Sequence, residues 1–378
     1  MTCQYGLIRD IMEKRDAYIA LNMMEKIGPV KARALVAALG SPQAVFSASE
    51  LDLTGIKGIG AKLACSIVEQ QARLDPIAES ERAEKMGVRI VTELDEEYPS
   101  SLKEMHDPPL ALYLLGSIEK RDRHAIAVVG SRRCTHYGLQ VADRLSYQLA
   151  QTGFTIVSGL ARGIDQAGHS GALKAGGRTL AVLGSALDCL YPPEAAGLAE
   201  KIAENGAVIS EFPMGREADR TTFPYRNRII SGLSMGVLVV EASRKSGALM
   251  TADAAVDQGR SVFVVPGRID APTARGSNAL LKQGARLVDD VRDIVEEFEF
   301  LFGVECAKAE KSSAPKLELS EEEGRIVQAL VADEKDVDVL SRETDLKSSR
   351  LSVLLLGLEM KGVLKMLPGK RVVLNIGL

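Results

Sequence analysis

Between residues 124 and 300, six short apolar runs alternate with amphipathic stretches of helical length. The runs are 125–129, 155–158, 179–183, 207–211, 236–240 and 261–265; the clearest stretches between them are 139–151, 166–175, 194–204 and 248–258. Runs this apolar suit strands buried on both faces, and helix-length spacers supply the crossovers that parallel strands require. The pattern predicts an α/β fold with a Rossmann-like parallel sheet, covered by helices on both sides. In such a sheet a ligand lies outside the carboxyl ends of the strands.

The residues that follow the strands are suited to phosphate. GSRR (130–133) follows the first run and SGLARGID (158–165) the second. Gly130, Ser131 and Arg132 in one turn, and Gly159, Arg162 and Gly163 in the other, combine close backbone approach with forked cationic donors. A helix that starts just after each turn aims its N-terminus at a bound anion. Asp165 is expected to cap the second helix. His169, one turn on, reads as a packed or hydrogen-bonded histidine. FPYRNRIISGLS (223–234) sets Arg226 and Arg228 around Asn227. Read as a loop entering a helix, it points both arginines to one side, with Phe223 and Tyr225 as surfaces for bases. Ser246, Gly247 and Thr251 surround another helix start, a further anion site. Lys282 is a candidate phosphate contact, and Arg216, Arg220, Arg244 and Lys245 lie in adjacent connections.

Several function classes are disfavoured. The glycine after Gly130 is Gly138, so the dinucleotide pattern GxGxxG fails, and the second strand ends on Ser158-Gly159 with no acidic residue. No GxxxxGK[ST] loop is present. The 5 cysteines form no CxxC and the 4 histidines no HExxH spacing, so neither disulfides, a metal nor a cofactor is expected. No 18-residue apolar run occurs, which predicts a cytoplasmic protein without membrane attachment. The net charge of −4 excludes an overall basic coat but permits a local basic groove. With no Trp and 4% aromatics, any nucleic acid is expected to be held by its backbone more than by base stacking.

Four segments are expected: a helical domain (1–80), the α/β core with a leading extension (81–302), a linker rich in Lys, Ser, Ala and Pro (303–319) and a C-terminal domain (320–378). Residues 27–40 and 53–70 read as tandem helix–hairpin–helix units of SAM-like type. Gly58-Ile59-Gly60 makes the second turn, and Pro29 marks the first as a degraded copy. Such tandems serve either as DNA binders or as packing modules. Residues 88–91 and 111–115 are candidate short strands. Helices over 321–331, 337–344 and 348–361, then a hairpin over 363–375 around Pro368-Gly369, suggest a winged helix. Ser348, Ser349 and Arg350 would open its recognition helix and Lys370 and Arg371 its wing, but seven acidic residues crowd its first half. Docking to a protein is favoured over docking to DNA.

The string VVGSR, IVSGLARGID, FPYRNRIISGLS, VVEA, SGALMTA and VFVVPG, within about residues 95–300, is similar to the DprA (Smf) family of DNA-processing proteins. The flanking domains fit larger members of that family. The resemblance implies a core that dimerises, holds single-stranded DNA in a basic pocket and hands it to RecA, in natural transformation or recombination. It implies a binding protein that needs no nucleotide or metal, with DNA held without sequence preference. Carried over by motif, Arg132 is the foremost DNA contact, with Gly130 and Ser131 forming its turn. Arg226 and Arg228 follow, unless an arginine of RNR braces the fold through a carboxylate such as Glu211 or Glu241. Arg178, before the third strand, is a further candidate. One departure is GSALD, with Ala186 where the family carries glycine, which predicts less backbone freedom at the third turn. The rival reading is a nucleotide-processing enzyme of the phosphoribohydrolase type, with Glu241 as carboxylate and Thr251 on phosphate; the PGGxGT-type loop of those enzymes is absent.

Overall fold

The computed structural model describes residues 12–298, 320–331, 334–360, 363–367 and 369–374. The chain divides into two compact units, residues 1–298 and 299–378. The expected linker, 303–319, lies outside the described residues.

The first unit opens with α1 (Lys14–Met23), α2 (Pro29–Leu39), α3 (Glu50–Thr54), α4 (Ala61–Gln71) and α5 (Pro76–Glu84). Pro29 is harmless because it occupies the first helical position, where no backbone donor is needed. Gly58 takes φ +89° in the second hairpin turn, and Gly60 begins α4. Leu21, Leu35, Phe46, Leu53 and Ile67 form the local core. These helices are tied to the sheet beside them. Arg33 pairs with Glu93 at 2.6 Å, and Asn22 Nδ2 donates to the Glu211 carbonyl at 2.9 Å. Helical domain and core fall within one compact unit.

The sheet has nine strands among the described residues: β1 (Arg89–Thr92), β2 (Ala111–Gly116), β3 (Ala125–Val129), β4 (Thr155–Ser158), β5 (Thr179–Val182), β6 (Gly206–Ser210), β7 (Gly236–Val239), β8 (Ser261–Val264) and β9 (Arg286–Leu287). Their order is β1-β2-β6-β5-β4-β3-β7-β8-β9. Strands β3 to β9 pair in parallel, while β2 joins β6, and β1 joins β2, antiparallel. The parallel centre is Rossmann-like, as expected. Its strands β3 and β7 are buried throughout, which explains their continuous apolar sequence. Between the strands run α6 (Ser100–Lys103), α7 (His136–Gln151), α8 (Ile164–Lys174), α9 (Ala196–Glu204), α10 (Thr222–Gly232), α11 (Gly247–Asp257) and α12 (Arg275–Lys282). From β3 the chain moves outward to β4, β5 and β6, then returns to β7 on the other side. The carboxyl ends of β3 and β7 thus flank the point where the winding reverses, the place for a ligand crevice.

Ala186, expected to restrict its turn, sits at φ −60° and donates its N–H to the Arg216 carbonyl at 2.8 Å. That conformation is open to any L-residue, so glycine is not required there.

The second unit is a winged helix. Helices α13 (Glu321–Leu330), α14 (Val337–Thr344) and α15 (Ser348–Met360) pack on a three-stranded antiparallel sheet in the order β10-β12-β11. These strands are β10 (Lys335–Asp336), β11 (Leu364–Leu367) and β12 (Arg371–Leu374). Ile326, Leu340, Leu351, Leu358 and Val372 make its core. Arg350 on α15 is held by Glu322 at 2.6 Å and Arg371 by Glu334 at 2.5 Å, while Val353 and Leu356 on α15 are exposed.

Candidate nucleic-acid interface

A cleft of about 640 Å³ opens at the carboxyl ends of β3 and β7. The turn after β3 supplies Gly130, Ser131 and Arg132; α10 supplies Phe223, Arg226 and Asn227; the turn after β7 supplies Ser246, and the start of α11 supplies Gly247 and Thr251. A smaller chamber of about 270 Å³ shares Arg132, Phe223 and Arg226, and adds Gly159, Arg162 and Tyr191.

The first turn is fixed by backbone contacts. A Cβ at Gly130 would fall 2.5 Å from Ile164 Cγ1, so only glycine lets this turn pack on α8. Ser131 N–H donates to the Glu241 carbonyl at 2.7 Å, and the Ser131 hydroxyl accepts from Arg133 N–H at 3.2 Å. Thr135 caps α7, accepting from Gly138 N–H at 3.1 Å and donating to Glu241 Oε2 at 2.7 Å. Arg132 is left exposed, its guanidinium 4.5 Å from the Phe223 ring centroid. The ring orients the cation toward the cleft while leaving its N–H donors free in the guanidinium plane.

The second turn packs against the first. Gly163 sits at φ +85°, and a Cβ there would lie 2.6 Å from the Ser131 carbonyl oxygen. Gly163 is also the cap position of α8. Asp165, expected as the cap, lies inside the first helical turn and accepts from Ala161 N–H at 3.3 Å. Arg162 is exposed and pairs with Glu194.

The FPYRNR segment is helical, not a loop. Residues two apart on a helix differ by about 200°, so Arg226 and Arg228 face opposite ways. Arg226 lies in the cleft floor, where its Nη1 donates to the Gly159 carbonyl at 2.6 Å and to that of Val182. Burial pulls its pKa down to about 10, against the opposing charge of Asp165 and with help from Arg132. A Cβ at Gly159 would fall 2.2 Å from that same Nη1. Arg228 instead braces the fold. It binds Glu211 at 2.5 Å, the Asp107 carboxylate at 3.1 Å and the Asp107 carbonyl at 2.7 Å. Asn227 Nδ2 donates to the Gly247 carbonyl at 3.3 Å, joining α10 to the start of α11, and Ser246 caps α11 through Ala248 N–H at 3.3 Å.

Two expected contacts lie elsewhere. Arg178 precedes β5, at the amino edge of the sheet, and is locked to Asp122 at 2.8 Å, Glu119 at 2.8 Å and the Ser117 carbonyl at 2.6 Å. Lys282 closes α12, which runs back from β8 to the start of β9, so it too is at the amino edge. Glu241, the carboxylate of the enzymatic reading, is engaged by Thr135 and abuts Gly138. His169 is buried with Nδ1 2.6 Å from Thr179 Oγ1, and burial drives its pKa down to about 3.

The structure adds lining residues. Asp165, read from sequence only as a helix cap, faces the cleft, and Pro272 and Thr273, which no motif marked, reach it from the loop after β8. Arg220 and Lys245, read only as neighbouring charges, also line it. Among the described residues no His, Cys, Asp and Glu cluster could hold a metal ion, and no helix is long and apolar enough to cross a membrane.

The family model for DNA recombination-mediator protein A matches residues 89–299. A DprA winged-helix model matches residues 310–370, and a model of the SAM-like helix–hairpin–helix tandem matches residues 18–72. Protein Smf of Synechocystis is 38% identical over 275 residues, spanning 72% of this chain and 69% of that protein. DNA processing protein DprA of Bacillus subtilis is 41% identical over 214 residues, 56% of this chain and 72% of that protein. Among solved structures, DprA of Streptococcus pneumoniae superposes with a TM-score of 0.66 at 31% identity, covering 76% of this chain and 98% of that one. DNA processing protein A of Helicobacter pylori, solved to explain its single-stranded DNA binding mode, superposes with a TM-score of 0.51 at 28% identity, covering 56% of this chain and 96% of that one. The core match covers over half the chain, and all three domains of the fold have a counterpart; the chain belongs to the DprA/Smf family of DNA-processing proteins.

Proposed function

We propose that the protein is a cytoplasmic binder of single-stranded DNA that holds the strand by its phosphates, without sequence preference, and hands it to RecA. It acts without catalysis, as a homodimer through its α/β core, in recombination or natural transformation. The observation that carries this reading is the convergence of two helix N-termini, those of α8 and α11, with Arg132, Arg133, Arg220 and Lys245 on one cleft. Backbone donors and guanidinium groups recognise phosphate and carry no base code. Tyr191, exposed and with its ring centroid 6.0 Å from that of Phe223, offers a face to an unpaired base of any kind. The single-stranded DNA bound by the Helicobacter pylori relative and the recombination-mediator description of the matching family support the same reading.

Fluorescence anisotropy with labelled oligo-dT, a mixed-sequence strand and a duplex tests it. Equal affinity for the two single strands, weaker affinity for the duplex and a steep fall with salt are expected. No binding to either strand by folded protein overturns the reading. RecA assembly on the bound strand should be faster than on naked DNA; no acceleration refutes the handover.

Glu194 competes with phosphate for Arg162. Glu194→Gln should raise affinity for oligo-dT by about twofold, a small gain because the pair is exposed. A loss of affinity would place Glu194 in the strand contact itself.

A further inference from the structure

Asp165 is a buried carboxylate lining a cleft suited to anions, a placement that phosphate binding alone leaves unexplained. The groups facing it come from three elements. Arg226 lies on α10, Arg132 and Cys134 lie on the turn after β3, and the Gly159 and Ala161 amides lie on its own turn. Burial keeps two other neighbours neutral: Cys134, with its pKa pushed up to about 11, and His169 one turn along α8, pushed down to about 3. The charge at this end of the cleft is therefore set by two guanidinium groups and by whether Asp165 carries a proton.

We propose that Asp165 is a positioning residue through which single-stranded DNA binding takes up a proton. A phosphodiester entering beside Arg132 turns the Asp165 carboxylate into neutral carboxyl, and both guanidinium groups are left to face the phosphate. This rests on the single-stranded DNA reading of the cleft. A second negative charge in a buried site favours the protonated form of the first. Burial outweighs the opposing charges of Arg226 and Arg132 and has already raised the Asp165 pKa to about 6, so near neutral pH the proton is easily acquired. The proton comes from solvent and is returned when the strand leaves.

The sign follows from linkage. Below about pH 6 the free protein already carries the proton, and binding adds none. Above it, the free protein is ionised and the complex protonated, so affinity falls as pH rises, by up to about tenfold per pH unit for one proton. The fall levels off above the pKa of the complex.

The test compares wild type with Asp165→Asn, whose amide oxygen can still accept from Ala161 N–H. Oligo-dT affinity is measured from about pH 5.5 to 8.5, alongside calorimetry in two buffers of different ionisation enthalpy. Wild type should lose roughly tenfold in affinity across the upper half of that range and take up a proton on binding. Asp165→Asn should keep the low-pH affinity throughout. Parallel pH dependences in the two proteins overturn the proposal. Should the variant not fold, absence of proton uptake by wild type overturns it. Folded wild type that binds no oligo-dT at any pH refutes the single-stranded DNA reading, and this inference with it.

Discussion

Arg132→Ala should weaken single-stranded DNA binding by roughly tenfold to a hundredfold and leave the fold intact. A hydrogen bond from a charged donor contributes about 1.5–3 kcal/mol, and Arg132 presents such donors at the mouth of the cleft, exposed and stacked on Phe223. Loss of one phosphate contact should also reduce the slope of log affinity against log salt by about 0.7. The stacking on Phe223 contributes only about 0.5–1 kcal/mol at an exposed site, so the melting temperature should move by a few degrees at most. Anisotropy across a salt series, with circular dichroism melts of both proteins, checks both halves. Equal affinity with an equal slope would move the strand away from the turn after β3.

Arg228→Met should do the reverse. Its guanidinium is the partner of two carboxylates, Glu211 and Asp107, and Glu211 is buried. Burial raises the Glu211 pKa, and Arg228 is the chief force opposing that rise. Removing the arginine strands the carboxylate, at a cost of about 3–5 kcal/mol. The damage should spread to the N-terminal helices, because the Glu211 carbonyl also accepts from Asn22 on α1. Denaturant and thermal melts should show the loss directly. Protein still folded at low temperature should bind oligo-dT as wild type does, since Arg228 faces away from the cleft. A stable variant with weak binding would reverse the roles assigned to the two arginines.

Residues two apart in one motif thus take different tasks, and this shows where sequence stops being informative. The strands were legible because a doubly covered sheet forces apolar residues at successive positions, as in β3 and β7. The glycine turns were legible because Gly130 and Gly163 answer to close packing that no other residue tolerates. FPYRNR reads as a loop entering a helix, yet it is helical from Thr222 onward, and Pro224 is tolerated because a proline in the first turn lacks only a hydrogen bond that the first turn does not make. Once helical, the segment sends Arg226 and Arg228 to opposite faces. Arg178 and Lys282 looked like phosphate contacts because sequence reports nearness to a strand and not which end of the sheet the residue occupies. Asp165 was hidden for a related reason. A carboxylate at the start of a helix reads as a cap, and only the fold of the preceding turn shows that Gly163 holds that position.

The most direct test of the cleft as the DNA site is hydrogen exchange of the backbone amides with and without saturating oligo-dT. Protection should concentrate in residues 130–135, 159–165 and 246–251, where the turns after β3, β4 and β7 present their donors. Protection confined to residues 348–374 of the winged helix, with those three turns unchanged, would contradict the account.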